Sequence, residues 1–171
     1  QPETGDVFFQ WHTSRSAECL KSLIPSDFEG ILQCDGYAAY DRFARQHGHP
    51  ILLAGCYAHI RRGFWEAREQ APQMAAWILR QIAHLYQIEK RLRKQRAGPR
   101  LRLAYRISQS RRIHQRLERL LIELKRKGRY LPKSQMGKAI DYALGQWESL
   151  NVYLERGEVW IDNNPVENAI R

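Results

Sequence analysis

Two acidic residues far apart in the chain carry the pattern with the most chemistry in it. Asp35 lies in Gly30-Ile31-Leu32-Gln33-Cys34-Asp35-Gly36-Tyr37-Ala38-Ala39-Tyr40-Asp41. Ile31, Leu32 and Cys34 read as a short buried strand, with Asp35 at its carboxyl end and Gly36 permitting a sharp exit. Ligands of open α/β sheets bind at the carboxyl ends of strands. Asp-Gly after a strand is also a common turn signal. Glu167 lies in Trp160-Ile161-Asp162-Asn163-Asn164-Pro165-Val166-Glu167-Asn168-Ala169-Ile170-Arg171. Asn164 suits a helix N-cap and Pro165 the first helical position. Glu167 then falls in the first turn, where it could complete a capping box or favour the helix dipole. Taken together, the two motifs point to one metal-binding carboxylate on a strand end and another on a helix. Such an arrangement serves metal-dependent phosphodiester chemistry. Two hard cations roughly 3.5–4 Å apart, held by carboxylate oxygens, activate a nucleophile and stabilise the leaving oxygen.

A third motif, Gly55-Cys56-Tyr57-Ala58-His59-Ile60-Arg61-Arg62-Gly63-Phe64, lies between them. Cys56-x-x-His59 has the spacing of a zinc half-site, but no second ligand pair follows at suitable spacing. Burial of Cys56 at a strand end, with His59 capping or packing locally, is the structural alternative.

The three blocks, in this order, resemble a DDE-type transposase of the insertion sequence 66 family over nearly the whole chain. The resemblance implies that Asp35 matches the second catalytic Asp and Glu167 the catalytic Glu. Both would be ligands of Mg²⁺ or Mn²⁺. Cys56, His59, Asn163 and Asn164 would lie near the site. The family's first Asp is expected upstream of this chain, so these residues read as a piece that would be inactive alone. The implied reaction has two steps. Water releases a 3′-hydroxyl at the element's end, and that hydroxyl attacks target DNA. The residues alone support only a metal-dependent phosphodiesterase. An inactive DNA-binding or scaffolding piece, a ribonuclease H-like nuclease without strand transfer, and a basic RNA-binding helical protein stay open as alternatives.

The elements that must position these residues follow from punctuation and periodicity. Val7 to His12 and Ile51 to Ala54 read as strands, and Ser16–Leu23 and Ala38–Gln46 as helices ended by Pro25 and by Gly48 with Pro50. Strands alternating with helices suggest a parallel sheet. A helix from about His59 to Gln70 precedes the break at Ala71-Pro72. Three stripes of helical period follow. Met74, Ile78, Ile82, Leu85 and Leu92 form the first, and Leu103, Ile107, Leu117, Leu120, Leu121 and Leu124 the second. Met136, Ile140, Ala143, Leu144, Trp147, Leu150 and Leu154 form the third. Mutual packing is their expected role, with Trp77 and Trp147 as core or interface anchors. The expected fold is α/β: a partial ribonuclease H-like core over residues 1–70, a basic all-α insertion over 71–156, and a return to the core over 157–171.

Charge is uneven along the 171 residues. Residues 88–138 hold 18 Lys or Arg and 3 acids, a formal +15, so the remainder is −5 against the total of +10. Such an imbalance favours a polyanion, here DNA, over a merely solvated face. Arg111, Arg112, Arg116, Arg119, Lys125, Arg126 and Lys127 are candidates for phosphate contact, and Arg61 and Arg62 lie nearer the chemistry. Three cysteines without CxxC spacing suit reduced thiols in the cytoplasm. No apolar run reaches the ~18 residues of a membrane span. The resemblance implies as partners element ends and target DNA, a second copy in the active complex, and accessory proteins.

Overall fold

A computed structural model describes Trp11, Thr13, Ser14 and residues 16–164. Glu167, and the expected strand at 7–12 except Trp11, lie outside the described residues. Trp11 itself is exposed and outside any strand.

The first elements are α1 (Ala17–Leu23), β1 (Gly30–Gln33), α2 (Ala38–Gln46) and β2 (Ile51–Ala54). β1 and β2 pair in parallel, Gly30 beside Ile51 through Gln33 beside Ala54, with α2 as the crossover. Cys34 extends the ladder by donating its N–H to the Ala54 carbonyl at 2.9 Å. The strands are less buried than their apolar sequence predicts. β1 is half-buried throughout, and Leu52 is 40% exposed because it lines an open cavity beside α2.

Beyond β2 the described chain is helical. α3 (Tyr57–Glu66) starts two residues earlier and stops four residues earlier than the sequence suggests. Its end is set from ahead: Ala71 precedes Pro72, which disfavours helical backbone there, and Ala71 has φ −140°. Pro72 then opens α4 (Pro72–Lys94) and Pro99 opens α5 (Pro99–Tyr105), each at a position that needs no N–H donor. A π-helical turn over Arg106–Ser110 joins α5 to α6 (Arg111–Arg126). α7 (Gln135–Gly145) is capped by Ser134, whose hydroxyl accepts the Gly137 N–H at 3.1 Å. α8 (Trp147–Glu155) follows after a single residue, Gln146.

Most of the predicted stripes do pack. Ile78, Ile82, Leu85, Leu117, Leu121, Met136, Ile140, Trp147, Leu150 and Leu154 share one core with Tyr57, Ile60 and Phe64 of α3. That core is continuous from Ala54 to Ile161. Each fully buried Leu, Ile or Phe contributes roughly 1.5–3 kcal/mol. Ile107 is the correction, at 45% exposed. The wider π turn shifts the buried stripe by one residue, so Arg106 and Ser110 enter the core in its place.

Arg106 is fully buried and forms a bidentate pair with Glu89 of α4 at 2.9 and 2.8 Å. Its remaining nitrogen donates to the carbonyls of Tyr153, Arg156 and Val159. These carbonyls end α8 and lead the chain back toward the sheet. One guanidinium therefore holds the helical layer to the returning segment.

Candidate active-site cleft

Asp35 sits just past β1, where the chain turns into α2. Its Oδ1 accepts the Tyr37 N–H at 3.0 Å, closing a turn that Gly36 makes possible at φ +79°. The Tyr142 hydroxyl of α7 donates to the Asp35 carbonyl. The residue thus occupies the strand end expected of it and is held there from two directions. It lines an open cleft of about 410 Å³ with His59, Arg62 and Glu66 from α3 and Tyr142 from α7. Arg62 is paired with Glu66 at 3.0 Å.

The returning segment reaches the same end of the sheet. Gln33, the last residue of β1, donates through Nε2 to the Trp160 carbonyl at 2.8 Å and to the Gly55 carbonyl at 3.3 Å. The Tyr57 N–H donates to the Ile161 carbonyl at 3.1 Å. The Cys56 thiol donates to Asn163 Oδ1 at 2.7 Å. Burial, first among its causes, raises the Cys56 pKa, so this thiol keeps the proton it donates. The same cause pushes Cys34 up to about 11. Cys56 acts in the described structure as a clip on Asn163.

Asn164 departs from the cap assigned to it. It is already helical, and its side-chain amide reaches back to Asp162 Oδ2 at 2.9 Å while its N–H meets Oδ1 at 3.2 Å. Asp162 is buried, and its charge lies near the Tyr86 hydroxyl, whose pKa burial and then Asp162 raise. Gln33, Tyr142 and Asp162 were not singled out by the sequence. A polar Gln at the end of an apolar strand was the available signal for the first.

Among the described residues, no group of three or more His, Cys, Asp or Glu is placed to hold a metal ion. Asp35 contributes one carboxylate, and the second expected ligand, Glu167, lies outside the described residues.

The candidate phosphate contacts divide into two sets. Arg112, Arg116 and Arg119 are exposed along α6 at a spacing that places them on one side, and Arg111 beside them is half-buried. Arg61 is exposed on α3. Lys125, by contrast, pairs with Asp141 at 2.8 Å, and Arg126 and Lys127 both pair with Glu123, at 2.8 and 2.9 Å. Hydrogen bonds from Arg126 and Lys127 hold the Glu123 carboxyl down at about 2. Among the described residues, no helix is long and apolar enough to cross a membrane.

The sequence pattern of the Transposase IS66 family matches residues 1–171, and the chain belongs to that family. Two Sinorhizobium fredii proteins are similar to it. The uncharacterized protein y4jD is 34% identical over 99% of this chain and 33% of its own length. The uncharacterized protein y4qI is 34% identical over 96% of this chain and 31% of its own length. The chain thus spans about a third of these relatives. No solved structure matches it.

Proposed function

We propose that this chain forms part of the catalytic region of a DDE-type DNA transposase, which cleaves and joins phosphodiesters at the ends of an insertion sequence. The observation that carries the reading is the Gln33–Trp160 hydrogen bond. Through it, the segment leading to Glu167 reaches the strand end that bears Asp35. Convergence of two acids at the carboxyl end of a parallel sheet is what the catalytic chemistry needs.

Asp35 suits one oxygen ligand of Mg²⁺ or Mn²⁺, since it is a carboxylate on the wall of an open cleft. Glu167, and an Asp contributed from elsewhere in the protein, would complete the set. Such ions, when bound, activate the attacking oxygen and stabilise the leaving one. Residues 1–70 and 157–171 would belong to a ribonuclease H-like core, with 71–156 as the helical insertion. The parallel β1–α2–β2 unit supports this assignment. Arg61, Arg111, Arg112, Arg116 and Arg119 would position DNA through its phosphates, giving affinity without sequence reading. Lys125, Arg126 and Lys127 would add less, because carboxylates already share their charge.

The test uses the full-length protein and DNA carrying element ends. Asp35→Asn and Glu167→Gln should each abolish Mg²⁺-dependent cleavage while DNA binding is kept. A Glu167→Gln protein that still cleaves would remove Glu167 from the metal-binding set and overturn the reading.

A further inference from the structure

A second cavity, of about 260 Å³, lies on the other side of the Asp35 turn. Gly36 and Tyr37 belong to the walls of both cavities. We propose that this cavity receives one unpaired nucleobase adjacent to the phosphate engaged at Asp35, while the sugar-phosphate backbone stays in the Asp35 cleft. The inference rests on the DNA-processing function above.

Three features support that occupant. The first is chemistry. Tyr37, 48% exposed, and Tyr40 contribute aromatic surface, on which bases of any sequence stack. The polar side chains include Asp41, Gln146, Glu148 and Ser149, and among the described residues no Lys or Arg lines the cavity. Two carboxylates without a cation repel a phosphate. They suit a neutral ring that carries N–H donors, such as the exocyclic amino groups of cytosine and adenine.

The second is construction. The Gln146 side chain is packed on Gly36 so closely that a Cβ there would meet its amide at 2.3 Å. The Ser149 hydroxyl donates to the Gln146 carbonyl at 2.8 Å. Together with the Tyr142 hydroxyl on the Asp35 carbonyl, these contacts seat the α7–α8 corner on the wall shared by the cavities. The third is placement. Only Gly36 separates Tyr37 from Asp35, so a nucleotide whose phosphate is at the carboxylate has its base within reach of the cavity.

The experiment compares binding of the full-length protein to three DNA probes: a fully paired duplex, the same duplex with one unpaired cytosine, and the same duplex with an abasic nucleotide at that place. The unpaired cytosine should bind about tenfold tighter than either of the others, the scale of one base stacked on an aromatic side chain. Tyr40→Ala should remove the preference and Tyr40→Phe should keep it, with paired-duplex affinity unchanged in both. With a fourth probe that carries an unpaired thymine at that place, Glu148→Gln, on an exposed helix position, should narrow the advantage of cytosine over thymine. Equal affinity for all three probes, or an abasic probe as good as cytosine, overturns the base subsite and leaves DNA processing standing. Failure to bind any probe overturns both.

Discussion

Gln33 and Trp160 lie 127 positions apart, yet the side-chain amide of one donates to the backbone carbonyl of the other at 2.8 Å. The same amide reaches the Gly55 carbonyl, so Gln33 ties together the ends of two parallel strands and the segment returning from the helices. Gln33→Leu keeps a similar shape but leaves both carbonyls without this donor. The expected cost is about 1–2 kcal/mol, since the group is only half-buried. Cleavage should fall further than stability alone explains, because the segment bearing Glu167 loses its tie to Asp35. Urea unfolding and cleavage rates on the same variant check both parts, and an unaltered rate would separate the tie from catalysis.

The exposed arginines of α6 should dominate the salt dependence of DNA binding. Neutralising Arg112, Arg116 and Arg119 together should weaken binding to unrelated sequences about equally. The slope of log K against log salt should flatten by roughly 0.9 for each phosphate that the protein no longer neutralises. Neutralising Arg126 and Lys127 should change the slope less, because Glu123 already engages both. Titrations at several salt concentrations decide it, and equal effects from the two sets would contradict the division.

Arg106 should be among the most costly residues to replace. Arg106→Met leaves the Glu89 carboxylate buried without its partner and takes a donor from three carbonyls. Removing one member of a buried pair costs about 3–5 kcal/mol. Glu89→Gln should cost less, since an acceptor remains and the hydrogen bonds from Arg106 to the carbonyls survive. Denaturant midpoints of the two variants give the comparison, and equal destabilisation would show that the uncompensated Arg106 charge in Glu89→Gln costs as much as the hydrogen bonds lost in Arg106→Met.

His114 makes stability depend on pH. It is 1% exposed, its Nδ1 lies against the Tyr57 hydroxyl, and its ring stacks on Trp147. Burial lowers its pKa from 6.5 to about 4. The folded state therefore binds this proton less readily than the unfolded chain. The stabilisation is complete above pH 6.5 and is lost as pH falls toward 4. At 1.36 kcal/mol per pKa unit, the loss is roughly 3 kcal/mol. The difference in unfolding free energy between the wild type and His114→Gln, followed from pH 7.5 to 4, isolates it. A difference that stays constant across that range would refute the assignment.

Local signals made part of this architecture legible. The α2 and β2 boundaries follow from the Gly, Pro and Asp residues around them, and the core stripes follow from helical period. Asp35 was readable because a strand, an acid and a glycine occur in sequence. Arg106 was not, because within a run of arginines nothing in spacing distinguishes the one that turns inward. The π turn that carries it inward left no mark in the apolar pattern except the misplacement of Ile107. Cys56 and Asn163 each stood out within a motif, but their bond spans 107 positions, beyond any local pattern. The pairing of Glu123 with Arg126 and Lys127 was available from i+3 and i+4 spacing.

The long reach of the Gln33–Trp160 hydrogen bond also bears on how the molecule folds. Contacts among α4, α5, the π turn and α6 join neighbours in the chain and can form early. Closing a loop of this length costs roughly 4 kcal/mol of chain entropy on a logarithmic scale, before any partner contact is made. Such non-local closures slow folding. During synthesis, β1 and Asp35 emerge long before Trp160 exists to meet them. The strand end and the segment that leads to Glu167 can come together only after every helix between them has been made.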